Sequence, residues 1–228
     1  MTVRIPASSG EHAAAARSIL ACPAGVELSI EGCPEVLAEE APQGVHDWAG
    51  TPLLLCVPDG RVAHAGKGGR AATMALASGL SAGETLHLSG RLRWVTTDWC
   101  ACCDTSRERV VLDLDEVRLQ RDGRRIALPV PAFAHPALQL NAGLFRRTEQ
   151  HLNECHGDHL RAAIANHTGT PVHDVVGVQL VGLSARRVTL RWVDLDGAGS
   201  AEVLFARAAR DPEDLGDQLR RALHPELC

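Results

Sequence analysis

The chain has 228 residues, of which 45% are apolar and 22% charged, and a net charge of −5. That length can bury a substantial core, either as one large domain or as two small ones. The acidic balance argues against a nucleic-acid partner, which needs surplus Lys and Arg for counterion release, and no apolar run reaches the roughly 20 residues of a membrane-spanning helix.

The opening residues MTVRIPASSGEH lack the apolar core of a signal segment. The eight cysteines are scattered and read as small buried hydrophobes rather than a disulfide framework, so a cytoplasmic protein is expected. Ser8 and Glu11 form a capping box that predicts a short helix through AAAARSIL, stopped by Cys22-Pro23. Residues 25–30 predict a first strand, and 31–50 an irregular connection punctuated by Pro and Gly. The apolar run 52–57 predicts a central strand closed by the turn Pro58-Asp59-Gly60, after which 61–77 read as a glycine-rich turn and a strand.

The clearest strand is 84–96, with Leu86, Leu88, Leu92 and Trp94 on one face and His87, Ser89, Arg91 and Arg93 on the other. Gly90, in phase with the apolar set, allows a bend or a close backbone approach. Residues 109–120 predict a second long strand whose apolar phase shifts between Leu114 and Val117, as one bulge requires. Asp122-Gly123 then turns into a further strand. Several closely spaced strands with few helices point to a small β-barrel.

After Pro131 the pattern changes. His135-Pro136 predicts a helix start, continued by Leu138, Leu144, Phe145 and Leu152. Gly157 with Asp158 breaks that helix and caps a second one, which ends around Thr168-Gly169. Three antiparallel strands follow, within 175–183, 187–195 and 201–206, and Asp211-Pro212 opens a final helix closed by His224-Pro225. The fold class is α+β, with a β-barrel domain over 1–134 and a small α/β domain over 135–228.

Two clusters carry candidate chemistry. In HLNECHGDHL (151–160), His151, Cys155 and His159 recur every four residues, and His156 lies one step round. Imidazole and thiolate suit zinc or haem iron. Residues eight apart on a continuous helix are separated by about 12 Å, so one ion takes them only if the Gly157 break folds them together or another ligand joins. Alternatively, Asn153 and His156 latch the helix end to the barrel. The second cluster, Cys100, Cys102 and Cys103, offers a single irregular knuckle where a zinc site wants two, and reads as a loop with redox or metal use open. No nucleophile elbow, phosphate loop or HExxH motif occurs.

The segments HLNECH, VVGVQLVGLSARRVTLRW and AEVLFARAARDPEDLGDQLRRAL resemble the small α/β domain fused to split barrels in the HugZ-type haem-utilisation family. Similar domains occur in many actinobacterial proteins and in plant proteins that bind glutamyl-tRNA reductase. The first half resembles, in outline, the pyridoxamine-phosphate-oxidase-like FMN-binding split barrel through PLLLCV, the glycine-rich segment and the two long strands. The family pattern has an acid where this chain has Cys155, and here the small domain follows the barrel, as in the plant branch.

The resemblance implies a split barrel, a homodimer and a cofactor at the dimer cleft. It implies haem bound by His224 near the C-terminal end, or by His151 or His156, with Arg91 and Arg93 near the propionates, and with possible oxidative haem breakdown. It also admits FMN, its phosphate held by Lys67 and Arg70, in a flavin-dependent oxidoreductase. A third expectation is a non-enzymatic module that binds a protein of tetrapyrrole metabolism. Metal bound through the cysteines is a fourth.

Overall fold

The computed structural model describes residues 7–33, 44–100 and 105–224. The chain divides into two compact units, residues 1–143 and 144–228. This division falls after Gly143 rather than after Ala134. Residues 135–143 go with the first unit because Gly143 lies against helix α1 (Ala7–Ala21), so closely that a Cβ there would stand 1.9 Å from the Ser18 carbonyl oxygen.

The first unit is built on one curled antiparallel sheet of seven strands. In chain order these are β1 (Pro23–Ile30), β2 (Val45–Trp48), β3 (Thr51–Cys56), β4 (Ala71–Ser78), β5 (Thr85–Cys100), β6 (Thr105–Arg121) and β7 (Arg124–Leu128). They lie in the order β1-β4-β5-β6-β3-β2, with β7 paired to the far end of β6. β6 has 17 residues and serves two neighbours on one edge: β3 along Glu108–Val111 and β7 along Val117–Arg121. Among the described residues the ladder runs from β1 to β2 without closing, so the expected cylinder is a half-barrel.

The alternation in β5 sorts Leu86, Leu88 and Leu92 as predicted, buried with Leu112, Val117 and Leu119 of β6 in one apolar core, but Trp94, expected on the same face, is exposed beside a second register shift between Trp94 and Thr96. The predicted bulge is present. Ser89 pairs with Glu116 and Gly90 with Leu114, which leaves Asp115 as the extra residue. At the bulge the two backbones come so close that a Cβ on Gly90 would stand 2.0 Å from the Asp113 carbonyl oxygen. The Asp122-Gly123 turn has both residues at positive φ, the form that suits a tight hairpin.

Three expectations fail here. Helix α2 (Arg61–Lys67) replaces the predicted glycine-rich turn, and its small residues Ala63, Ala65 and Gly66 are buried. Residues 31–50 include the strand β2. Helix α1 begins at Ala7, so Ser8 lies inside it and not at its cap. The long strands also outrun their predicted ends, to Cys100 in β5 and from Thr105 in β6. Of the cysteine cluster, Cys102 and Cys103 lie outside the described residues, and Cys100 ends β5.

Helix α3 (Val130–Phe133) and a 3-10 turn at Pro136–Leu138 link the sheet to helix α4 (Ala142–Cys155). The His135 ring nitrogen accepts from Ala137 N and caps that turn. The expected continuous helix from Pro136 is therefore interrupted before α4.

The second unit holds most of α4, then α5 (Gly157–Thr168), β8 (Gly177–Val181), β9 (Arg187–Asp194), β10 (Gly197–Leu204) and α6 (Pro212–Ala222). Its three strands form an antiparallel sheet in the order β10-β9-β8. Gly169, at φ 77°, ends α5 in the left-handed conformation. Asp211 caps α6, its side chain accepting from Asp214 N. No helix among the described residues is long and apolar enough to cross a membrane.

Candidate functional site: a row of four histidines

The edge strand β8 fixes where α4 lies. An edge presents backbone groups that no further strand satisfies. Asn153 takes the place of that strand: its amide donates to Leu180 O at 2.9 Å, and its carbonyl oxygen accepts from Leu180 N at 2.7 Å. One turn earlier, a Glu149 carboxylate oxygen accepts from Leu183 N at 2.6 Å. Asn153, expected as a latch to the barrel, is instead a pin between α4 and β8, where it satisfies both peptide groups of Leu180 on the edge strand.

Pinned there, α4 ends at Cys155. The helix break comes at His156, which is the N-cap of α5 with φ −125° and ψ 28° and makes no side-chain capping bond. The cap is therefore His156 and not Gly157 or Asp158. Asp158 occupies the first turn of α5, where it complements the helix dipole and pairs with Arg161 at 2.6 Å.

The break gathers four imidazoles into a row. The His151 and His156 rings are 5.2 Å apart at their centroids, edge to face. The His156 and His159 rings are 5.4 Å apart, with their Nδ1 atoms 3.1 Å from each other. His224, just past α6, stacks on His159 at 4.8 Å with an interplanar angle of 23°. His156, His159 and His224 are half-buried, and His151 is exposed. Burial first, and then the neighbouring His151 and His159, hold His156 below the ordinary imidazole value. It therefore keeps its neutral, ligand-competent form to lower pH than a free imidazole.

The row brings together His151, His156 and His224, three of the residues expected as haem ligands. It adds His159, which the four-residue spacing noted but which was not assigned a role. Cys155 is a free, exposed thiol beside the row. Among the described residues, no three His, Cys, Asp or Glu side chains are grouped so as to hold one metal ion.

The basic residues expected to meet phosphate or propionate lie in the first unit, each with a protein partner. Lys67 Nζ binds Glu108 at 2.8 Å and Asp59 at 3.4 Å. The hydrogen bond that Lys67 donates to Glu108 is the leading cause holding its ammonium above the usual value. Its charge also lies 6.0 Å from the centre of the Trp94 ring. Arg70 donates to Glu31 O and Arg91 to Gly69 O. Arg93 makes a two-pronged pair with Asp113, at 2.6 and 2.9 Å, which raises its pKa.

Sequence reasoning missed Glu108. It is buried under Lys67, with its Oε2 atom unbonded among the described groups. Its phase with Val110 and Leu112 on β6 was the available signal. His64, expected in a loop, lies on α2 with Nδ1 near Gly60 O. His87 faces an open groove of about 440 Å³ across β1, β4, β5 and β6, together with Glu27 and Arg118.

No family model and no curated protein matches the chain. Among solved structures, a heme binding protein from Mycobacterium smegmatis is 20% identical, over 99% of this chain and 97% of that one, with a TM-score of 0.39. A protein of unknown function from Agrobacterium tumefaciens str. C58 is 17% identical, over 97% and 98% of the two chains, also with a TM-score of 0.39. Likeness at that level carries no argument about what this chain binds.

Proposed function

We propose that this chain binds haem through the histidine row of its second unit, with His224 as the iron ligand. The observation that carries the reading is the row itself: four imidazoles in succession within one small α/β unit. The donor chemistry fits haem better than a bare structural ion. A structural zinc site needs about four protein ligands, and no group of three is present among the described residues. Haem brings its own four equatorial nitrogens, so one or two imidazoles complete the iron.

His224 and His151 stand at the two ends of the row. His224 is preferred because it is half-buried and His151 is exposed, and the shell around a metal ligand controls solvent access to the iron. Bound haem would supply a redox-active iron able to take small exogenous ligands. No observation favours the flavin reading, since Lys67 and Arg70, assigned to its phosphate, each have a protein partner; Arg91 and Arg93, expected near the haem propionates, are likewise partnered in the first unit and have no part in this reading.

The test is a hemin titration of untagged protein followed by absorption. A sharp, saturable Soret band is expected, lost in His224→Ala and retained in His167→Ala. A broad hemin spectrum unchanged by the protein would remove the proposal.

A further inference from the structure

His156 and His159 are the N-cap and third residue of α5, the pair of positions whose side chains face each other across the first turn of a helix. Their Nδ1 atoms are 3.1 Å apart. Two neutral imidazoles reach that separation with one N–H donating to the other nitrogen, but it is also the separation that a shared metal ion imposes. Two nitrogens each about 2.0–2.1 Å from one ion stand about 2.9 Å apart at a right angle and about 3.3 Å apart at the tetrahedral angle.

We propose that His156 and His159 form a chelating site for one divalent transition-metal ion of the Zn²⁺/Cu²⁺ class, with both Nδ1 atoms as ligands and water in the remaining positions. Borderline-soft imidazole pairs suit these ions, with Cu²⁺ held most tightly. The partial positive charge of the α5 N-terminus opposes a cation, and Asp158 in the same turn offsets it. No third His, Cys, Asp or Glu completes the group among the described residues, so the ion keeps open positions and binds more weakly than in a closed site. The site needs neither porphyrin nor His224 and stands independently of the haem reading.

The experiment is a titration of untagged, haem-free full-length protein with Cu²⁺ and, separately, with Zn²⁺. One Cu²⁺ per chain is expected, with electron paramagnetic resonance splitting from two nitrogens. His156→Ala and His159→Ala should each weaken binding roughly tenfold or more. His156→Gln and His159→Gln, which keep a polar side chain at each position, serve where an alanine variant does not fold. Cys155→Ser, His167→Ala and His224→Ala should leave Cu²⁺ affinity unchanged, although the last removes the hemin Soret band under the haem reading. Absence of a saturable site, or equal affinity in the His156→Gln/His159→Gln double variant, would reduce the pair to a hydrogen bond and overturn the proposal. So would loss of binding in Cys155→Ser.

Discussion

Arg17 is the largest fully buried side chain of the first unit, and replacing it tests what holds α1 to the sheet. Its guanidinium meets the Asp47 carboxylate through Nε at 2.9 Å and through one terminal nitrogen at 3.0 and 2.7 Å. The other terminal nitrogen donates to Phe133 O at 3.0 Å, and the guanidinium carbon lies 5.6 Å from the Phe133 ring centre. One side chain thus ties α1 to β2 and α3. In Arg17→Met, Asp47 keeps the bond from Gly50 N at 2.7 Å, but its charge loses the cation that offsets its burial.

Stranding one partner of a buried pair costs about 3–5 kcal/mol, whereas replacing both partners by apolar residues is close to neutral. Arg17→Met should therefore lower the urea midpoint of this unit by roughly 1–3 M, and Asp47→Leu added to it should recover most of the loss. Trp48, Trp94 and Trp99 belong to the first unit and Trp192 to the second, so tryptophan fluorescence in a Trp192→Phe background reports the first unit alone. A loss below about 1 kcal/mol, or a double variant no better than the single, would refute the assignment of stability to this pair.

Three further perturbations test other joints. In the second unit, hydrogen bonds from Arg207 are the main cause holding the Asp214 carboxyl far below its usual 3.8. A depressed folded pKa contributes stability that is full above the unfolded value and is lost as pH falls toward the folded one. Stability should therefore drop with acidification below about pH 4, and Asp214→Asn should flatten that slope in denaturation measured from pH 2 to 6. Asn153→Ala removes both bonds to the buried Leu180 backbone and should cost about 1–3 kcal/mol, with faster amide exchange at Leu180; unchanged exchange would deny Asn153 its role at the sheet edge. Gly90→Ala forces a Cβ against the Asp113 carbonyl and should cost about 1–3 kcal/mol in thermal unfolding, a neutral result showing that the bulge relaxes freely.

The parts of the fold that were legible are those where a local pattern has one physical solution. The β5 alternation admits only one buried face, and the phase slip after Leu114 needs an extra residue, which is Asp115. Asp211-Pro212 offers a capping carboxylate before a residue that needs no N–H, and α6 starts there. The illegible parts owe their form to what they pack on. Helix α2 has seven residues, too few to be stable alone, and its Ala and Gly content resembles a turn until the sheet buries Val62, Ala63 and Ala65. β2 has four residues and exists through its ladder with β3. The α4–β8 pin was illegible for a related reason: nothing in the sequence marks β8 as the edge strand whose peptides Asn153 must satisfy.

The histidine row divides along the same line. His156 and His159 are three residues apart in one turn, and that spacing alone predicts neighbouring rings. His151 and His156 are five apart, which on an unbroken helix sets their side chains about 140° apart around the axis. Their 5.2 Å approach therefore requires the chain to leave the helix at His156, as its backbone angles do. His224 comes from another helix altogether, and its place against His159 depends on how α6 packs in the second unit, which no local spacing encodes. The break after Cys155 is thus the feature that turns separated imidazoles into one continuous donor surface.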